Sequence, residues 1–597
     1  MTATVGGQWG WGAWAYLVVP VAIYCLVSLT LFAFGKADMR EPNVLKFFFR
    51  QIGDSLERVT GFPGWSMAGA LTGLMALLIA VIGFYWDVAW HFDNGRDKQL
   101  FTPSHTMILV GLGGLIFAGI IAVTFATLEE ARTGLRIGPL RVPWSAILLF
   151  ALGAGGVAAF PLDALWHDAY GIDVTLWSPT HLQLVSGGAL STIAVLLLLA
   201  EGKRFGHPNM FGRAIYALAA GTILVGLSTY QGEFDFGAPQ FQLLYLPILV
   251  MAAAGITLVL ARIALGRWGA AKVVFTYLVL RSGLALIVGG ALHHTVPRFP
   301  LYIASALLVE AVAWKLGTDD RHRFAVVSGA AIGSVGLVLE MLWLGAIAPL
   351  PTNLPTELLV KVALFAPLTA IAAAVLGAGL GRTFSTSSER VPRTALGAAA
   401  VVLLLALAYP LPRNVGHVDA VIRLQPVGER ATVEVTLNPP TAANDAIAFV
   451  VTSWQGGGTV PAALNEVSPG VYRSSRPVPI SGSWKTVVSL ARGNELMAAP
   501  VYLPADPEIG GPAIPALPER TTSFVRNTTL LLREQHGGPV WPALAAYAGL
   551  ASLVVLWVAL MAFIARRVSE ASLDEGTTTG AARPVAPAPP PREMVRG

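Results

Sequence analysis

WSMAGALTGLMALLIAVIGFYW, residues 65–86, runs without a charge into DVAWHFDNGRDKQLFTPSH, residues 87–105. The first stretch is long enough, at about 20 residues, to cross the hydrocarbon core of a bilayer as a helix. The second opens on an acid, closes on a histidine and leads into another apolar run. A chain that alternates such runs with short polar connections is a polytopic membrane protein. The composition agrees: of 597 residues, 54% are hydrophobic and 13% charged, outside the range of ordinary soluble domains. The single cysteine, Cys25, lies inside an apolar run, which excludes a disulfide framework and a Cys-rich zinc site. Any metal must be held by His, Asp or Glu. The formal charge of +5 does not imply nucleic acid, because in such a chain the placement of basic residues among the loops matters more than their sum.

Apolar windows fall at roughly 11–34, 65–88, 105–128, 143–165, 181–200, 213–230, 240–261, 272–292, 299–315, 324–346, 356–380, 394–411 and 540–565, each close to bilayer length. Every second connection is basic, as with Lys36 to Arg58, Arg132 to Arg141, Lys203 to Arg213, Arg262 to Lys272 and Lys315 to Arg323. Those loops are expected in the cytoplasm, with the N-terminus and residues 87–105 outside. The first window lacks a basic leader and a small-residue cleavage site, so it reads as a retained span. From 413 the pattern changes to short alternating runs, RATVEVTLNPP, AIAFVVTSW and SGSWKTVVSL, which predict strands. The expected fold is an all-α polytopic membrane protein of about thirteen transmembrane helices with one extracytoplasmic β-sandwich. Its parts are a membrane domain at 1–212 and a second helical membrane domain at 213–412. The sandwich follows at 413–538, then a closing span at 539–568 and a disordered cytoplasmic tail at 569–597, where APAPPPREM stands.

PLDALWHDAYGIDVTLWSPTHLQL, residues 161–184, repeats the opening stretch without a gap. Asp87 matches Asp163, Trp90 matches Trp166, His91 matches His167, Gly95 matches Gly171 and Asp97 matches Asp173. Phe101-Thr-Pro-Ser-His105 matches Trp177-Ser-Pro-Thr-His181. This is an internal repeat in chemistry and not in apolar filler. Asp87 and His91, at i and i+4, share a helix face. Pro103 suits the first turn of the next helix, where His105 follows. Each hairpin of neighbouring helices thus gathers Asp, His and His at the membrane surface, a set that suits copper, zinc or iron better than calcium or magnesium. Asp93, Asp97, Asp168 and Asp173 read as loop acids or as partners that orient a liganding imidazole. Trp and His serving as headgroup anchors is the competing reading, and the duplicated spacing argues against it. Paired histidines on one continuous helix, as in di-haem proteins, fail here. The charged residues between His91 and His105 would each cost about 2.5–3.5 kcal/mol at mid-bilayer.

Arg281, Glu310, Glu340 and Lys361 fall inside apolar windows and require partners, as ion pairs between helices or as part of a proton or substrate path. Glu233, Asp235 and the pair His293-His294 stand at outer ends, either as loop residues or close to the hairpins. His417 and His536 stand alone in the β region, so that module is not expected to hold copper.

Asp-x-x-Trp-His from Asp87, then Arg96-Asp97, then Phe101-Thr-Pro-Ser-His105 resembles the metal-site signature of the C subunit of copper membrane monooxygenases, the particulate methane and ammonia monooxygenases. The resemblance covers about residues 80–185. It implies copper on Asp87, His91 and His105. A second set in that family has Asn, His and His at the spacing of Asp163, His167 and His181, and the acid found here in place of the amide should hold a cation more tightly. The resemblance further implies one or two copper sites (zinc or iron being other occupants), with Trp90 and Trp166 walling them. The activity implied is insertion of one oxygen atom from dioxygen into a small apolar or weakly polar substrate that arrives through the bilayer. An external reductant, a quinol or another donor, is expected, because no flavin, haem or nucleotide motif is present. Spans six to twelve match the family's A subunit in span count alone. The His-x-His motif of its B subunit has no equivalent here. Two other classes remain open: a copper acquisition or transport protein, and a non-catalytic, metal-stapled subunit of a larger complex. Homo-oligomers or further subunits are compatible with each. The expected place is a bacterial plasma membrane, with the metal sites on the outer side.

Overall fold

The computed structural model describes residues 44–96, 101–172, 175–237, 242–347, 356–385, 390–411, 416–535 and 538–570, with isolated positions at 22, 26 and 29. Most of the 11–34 window, the tail beyond 570, and Asp97, Asp173 and His536 lie outside the described residues. The chain is mostly helical. In order the principal helices are α1 (Val44–Thr60), α2 (Gly64–Asn94), α3 (Pro103–Leu128), α4 (Trp144–Tyr170), α5 (Pro179–Gly202), α6 (Met210–Phe236), α7 (Tyr245–Leu265), α8 (Gly269–Ala291), α9 (Ile303–Leu316), α10 (Arg321–Ile347), α11 (Leu358–Phe384), α12 (Arg393–Ala408) and α13 (Val540–Glu570). All but α1, α9 and α12 are long and apolar enough to cross a membrane, ten among the described residues. Two windows that read as spans are shorter helices. α9 has 14 residues and α12 has 16, reaching about 21–24 Å at 1.5 Å per residue against a core of about 30 Å. Pro297 and Pro300 keep residues 293–302 out of the helix that precedes α9.

Embedded acids find their partners at helix beginnings. α2, α4, α8 and α9 start at Pro63, Pro143, Trp268 and Tyr302, none of which supplies a side-chain cap. In each case a glutamate from another helix, or from just beyond its end, accepts the unpaired amides. Glu129 accepts from Trp65 N at 3.3 Å, and Glu201 from Trp144 N at 3.0 Å and Ser145 N at 2.9 Å. Glu310 accepts from Trp268 N at 3.0 Å and Ala270 N at 2.9 Å, and Glu340 from Leu301 N at 2.5 Å and Tyr302 N at 2.9 Å. A carboxylate at the positive end of a helix dipole satisfies donors that would otherwise be orphaned in lipid. Glu310 also pairs with Arg262, Nε to Oε2 at 3.0 Å. Buried Arg281 pairs with Asp235 at 2.5 Å and lies 4.2 Å over the Tyr85 ring. Lys361 lines a small recess with Asp445 and Asn494.

Residues 419–526 form an antiparallel sheet domain. The strands are β1 (Asp419–Val427), β2 (Arg430–Asn438), β3 (Ala446–Trp454), β4 (Thr459–Ser468), β5 (Val471–Ser474), β6 (Val478–Pro479), β7 (Lys485–Arg492), β8 (Glu495–Tyr502), β9 (Glu519–Ser523) and β10 (Val525–Arg526). They run in the order β9-β1-β2-β5-β4-β3-β7-β8-β10, with β6 beside β2. β4 pairs with β3 through its first half and with β5 through its second, so the sheet turns over at this strand and encloses a core. Ala431, Val433, Val435 and Leu437 alternate inward along β2, as its period of two requires.

This domain sits on the end of the bundle where α2 and α4 finish. Gly457 N donates to Asp93 O at 3.0 Å, and Gln455 Nε2 to His91 O at 3.4 Å. Arg96 grips Asp506 and, at 2.7 Å, Glu508. Tyr170 OH donates to Pro539 O at 2.7 Å.

Candidate metal centres

The duplicated motif folds as the spacing requires. Thr102 and Ser178 cap α3 and α5 by accepting from His105 N and His181 N, with Pro103 and Pro179 in the first turn. Each helix therefore presents its histidine one turn inside its start. Gly83 lets α3 approach so closely that an added Cβ would sit 2.9 Å from Ser104 O, which brings that turn against the Asp87–His91 face of α2.

In the first set His91 Nε2 lies 3.5 Å from Asp87 Oδ2, and His105 Nε2 lies 3.1 Å from Asp87 Oδ1. In the second, His167 Nε2 lies 3.0 Å from Asp163 Oδ2 and His181 Nε2 lies 3.4 Å from Asp163 Oδ1. Within each set one ligand atom per residue lies inside 4.8 Å of the others. His167 is buried and the other five are half-buried.

The outward ring nitrogens fix the chemistry. His91 Nδ1 lies 2.9 Å from Gly95 O, His167 Nδ1 lies 3.2 Å from Gly171 O, and His181 Nδ1 lies 2.6 Å from Thr175 O. A carbonyl only accepts, so each Nδ1 carries the proton and, in a neutral ring, Nε2 turns its lone pair inward. The carboxylates receive hydroxyl donors, Ser104 Oγ to Asp87 at 2.8 Å and Thr180 Oγ1 to Asp163 at 2.6 Å. The second centre is thus a convergence of acceptors, two imidazole nitrogens and a carboxylate, oriented as ligands to a transition metal are oriented, and in the first centre the His91 ring is fixed in the same way.

Residues from other parts of the chain surround the two sets. Trp90 packs on His294 with ring centroids 5.6 Å apart, and Trp166 packs on Tyr170 at 4.3 Å and Tyr547 at 6.0 Å. Phe160 stands edge-on to His105 at 6.2 Å. Asp93 is buried and accepts from Thr295 N at 2.8 Å and Thr295 Oγ1 at 2.5 Å, with His294 Nδ1 at 3.0 Å. His294 therefore reaches the first hairpin, while His293 is exposed. Asp168 and His417 are exposed. Glu233 touches the second hairpin through Thr175 and Leu176, and Asp235 is engaged with Arg281. Ser104 and Thr180 were legible as matched positions of the repeat. The reach of Glu233, Asp93 and Gln455 has no local signature.

No known family, curated protein or solved structure matches the chain.

Proposed function

We propose that this is a membrane copper protein of the particulate monooxygenase kind, with its two centres on the extracytoplasmic side. On this reading it hydroxylates a small apolar substrate with dioxygen and an external reductant. The observation that carries the reading is the duplicated Asp, His, His set, in which the Nδ1 protons of His91, His167 and His181 are tied to carbonyls. Their Nε2 atoms converge with a carboxylate that itself receives a hydroxyl.

A bound copper ion would supply the redox chemistry toward dioxygen. The chain's own residues would hold it, orient the rings and limit water. Asp87, His91 and His105 form one set, Asp163, His167 and His181 the other, and Phe160 walls the first beside His105.

The approach for a substrate supports the same reading. A cleft of about 310 Å³ lies between α2, α3, α5, α6 and α8. Its lining includes Leu77, Ala80, Val81 and Phe84 of α2, Ile108 and Leu112 of α3, and Leu184, Val185 and Gly188 of α5. At helical spacing these stripes continue into Asp87 and His91, His105, and His181. Leu71, Met75, Leu78 and Leu218 of the lining are exposed on the side of the bundle, where a membrane would meet them. Thr192, Thr222 and Thr229 also line the cleft, but each hydroxyl donates to a carbonyl of its own helix at 2.6–2.7 Å. Such a space favours an apolar ligand over ammonia, and an apolar cavity of roughly 150 Å³ already admits benzene. Against a copper transporter, the embedded acids Glu310 and Glu340 are engaged by helix amides, and Asp235 by Arg281.

Membranes supplied with quinol test the proposal. Oxygen consumption that depends on a small hydrocarbon and disappears in His91→Ala is the expected result. Copper uptake into sealed vesicles, without substrate-dependent oxygen use, would move the protein to the transport class.

A further inference from the structure

We infer that Glu233 is a positioning residue for the second centre, holding the backbone carbonyl that orients His181; the inference rests on the metal-binding reading. The three described imidazole anchors are not equivalent. His91 and His167 are tied to Gly95 O and Gly171 O, each four residues on at the C-cap of the helix that carries the ring, so the helix end itself places them. His181 is tied at 2.6 Å to Thr175 O, and Thr175 belongs to the connection between α4 and α5. A connection does not hold a carbonyl in place as a helix end does.

Glu233 supplies the missing constraint from the last turn of α6. Its Oε1 accepts from Leu176 N at 2.7 Å and from Thr175 Oγ1 at 3.0 Å. These bonds grip both sides of the Thr175–Leu176 peptide whose carbonyl receives His181. The turn bearing Glu233 is itself pinned. Gln231 donates to Tyr302 OH at 2.9 Å, and Asp235 takes Arg281 at 2.5 Å and Tyr85 OH at 3.3 Å. Glu233 is 4% exposed, so its bonds are formed out of water, where breaking them leaves donors unsatisfied. The chain of contacts therefore runs from α6 to Glu233, to the Thr175 carbonyl, to His181 Nδ1, and leaves Nε2 aimed at Asp163. The position matching Thr175 in the first copy is Gln99, outside the described residues.

The full-length protein, titrated with Cu(II) against a chelator in the His105→Ala background, isolates the second centre. Glu233→Leu should weaken it about 10-fold, the scale on which partners that orient a metal ligand act. It should also remove one imidazole nitrogen coupling from the paramagnetic resonance spectrum. Glu233→Gln keeps an acceptor for Leu176 N and Thr175 Oγ1 and should restore both affinity and coupling. The inference is overturned if Glu233→Leu keeps wild-type affinity and both couplings, or if Glu233→Gln is as impaired as Glu233→Leu. It is overturned equally if Glu233→Leu, with both histidine pairs intact, weakens the two centres alike, since that is a general loss of structure. An unsubstituted protein that binds no Cu(II) with nitrogen coupling would instead refute the metal-binding reading itself.

Discussion

Each proposed ligand residue has a separable task on this reading, and substitutions should show it. A set reduced to one imidazole and one carboxylate keeps too few strong donors for tight binding. His105→Ala and His181→Ala should therefore each empty one centre and leave the other filled, measured as metal per chain after chelator challenge. Loss of both metals from either variant would mean one shared cluster. Asp163→Asn removes a formal charge facing a cation and should weaken the second centre only; unchanged occupancy would show that Asp163 is not a ligand. Thr180→Val leaves Asp163 without its hydroxyl donor, and a charge-assisted bond of this kind contributes about 1.5–3 kcal/mol. Loss of affinity at the second centre of up to about 10-fold is expected, while equal affinity in Thr180→Val and the unsubstituted chain would remove the hydroxyl from the site. These residues were readable in the sequence because the repeat matches them one by one. The same matching said nothing of Glu233, Asp93 or Phe160, whose partners lie on segments distant in the chain.

Helix ends decide how elements meet in this bundle. Gly95 and Gly171 close α2 and α4 at φ 91°, ψ −156° and φ 83°, ψ 163°, an essentially glycine-only region that costs other residues about 1–3 kcal/mol. Their neighbours differ. An added Cβ at Gly95 meets the Gln455 side-chain amide at 3.1 Å, which can swing aside, whereas at Gly171 it meets the Glu534 backbone carbonyl at 2.0 Å. Gly171→Ala should therefore cost clearly more stability than Gly95→Ala and loosen Glu534 and Gln535, a ranking that thermal unfolding of the two variants checks. Glu129, just past α3, shows the opposite balance. Burial, with Glu57 and Asp54 nearby, pushes its carboxyl up to about 7 despite the Trp65 amide. A raised carboxyl pKa means that folding loses stability as pH climbs from about 4.5 to 7. Glu129→Gln, which keeps the acceptor, should stabilise the protein by on the order of 1–2 kcal/mol at pH 8 after allowance for partial exposure. At pH 4 it should change little; a gain of equal size at both pH values would contradict this origin. The run of spans was legible from apolar length, but the shortness of α9 and α12 was not, because apolar windows do not reveal where prolines and connections consume them. The glutamate caps were hidden for a related reason: an acid beside an apolar run looks alike whether it meets an arginine or a helix start.

Across the whole molecule, the sheet domain is fastened to the end of the bundle that gathers both Asp, His, His sets, and Arg96 is an ionic tie between them through Asp506 and Glu508. The Arg96 guanidinium holds Asp506 below the usual carboxylate range. A depressed carboxylate contributes stability that is present above its unfolded pKa of about 3.9 and is lost as pH falls through the folded value. Docking should thus be constant from pH 5 to 8 and weaken in stronger acid, seen as faster amide exchange around 455–457 and 506–508. Arg96→Ala should show that faster exchange already at neutral pH, and exchange unchanged there would deny the tie its role. Sequence patterning predicts a β domain on the same side as the hairpins but not the contacts by which it docks, since these depend on pairs such as Arg96 and Asp506 that share no local pattern. The outer placement of residues 87–105 is a proposal from the basic loops, and labelling tests it. Asn94→Cys in a Cys25→Ser background should react with an impermeant reagent added outside intact cells, and reaction only after lysis would reverse the orientation. The most direct test of the metal centres is metal content with electron paramagnetic resonance on the purified full-length chain. Two copper equivalents per chain, with Cu(II) coupled to imidazole nitrogens and halved in His181→Ala, is the expected result; protein that retains no transition metal and yields no such coupling after copper loading would contradict it.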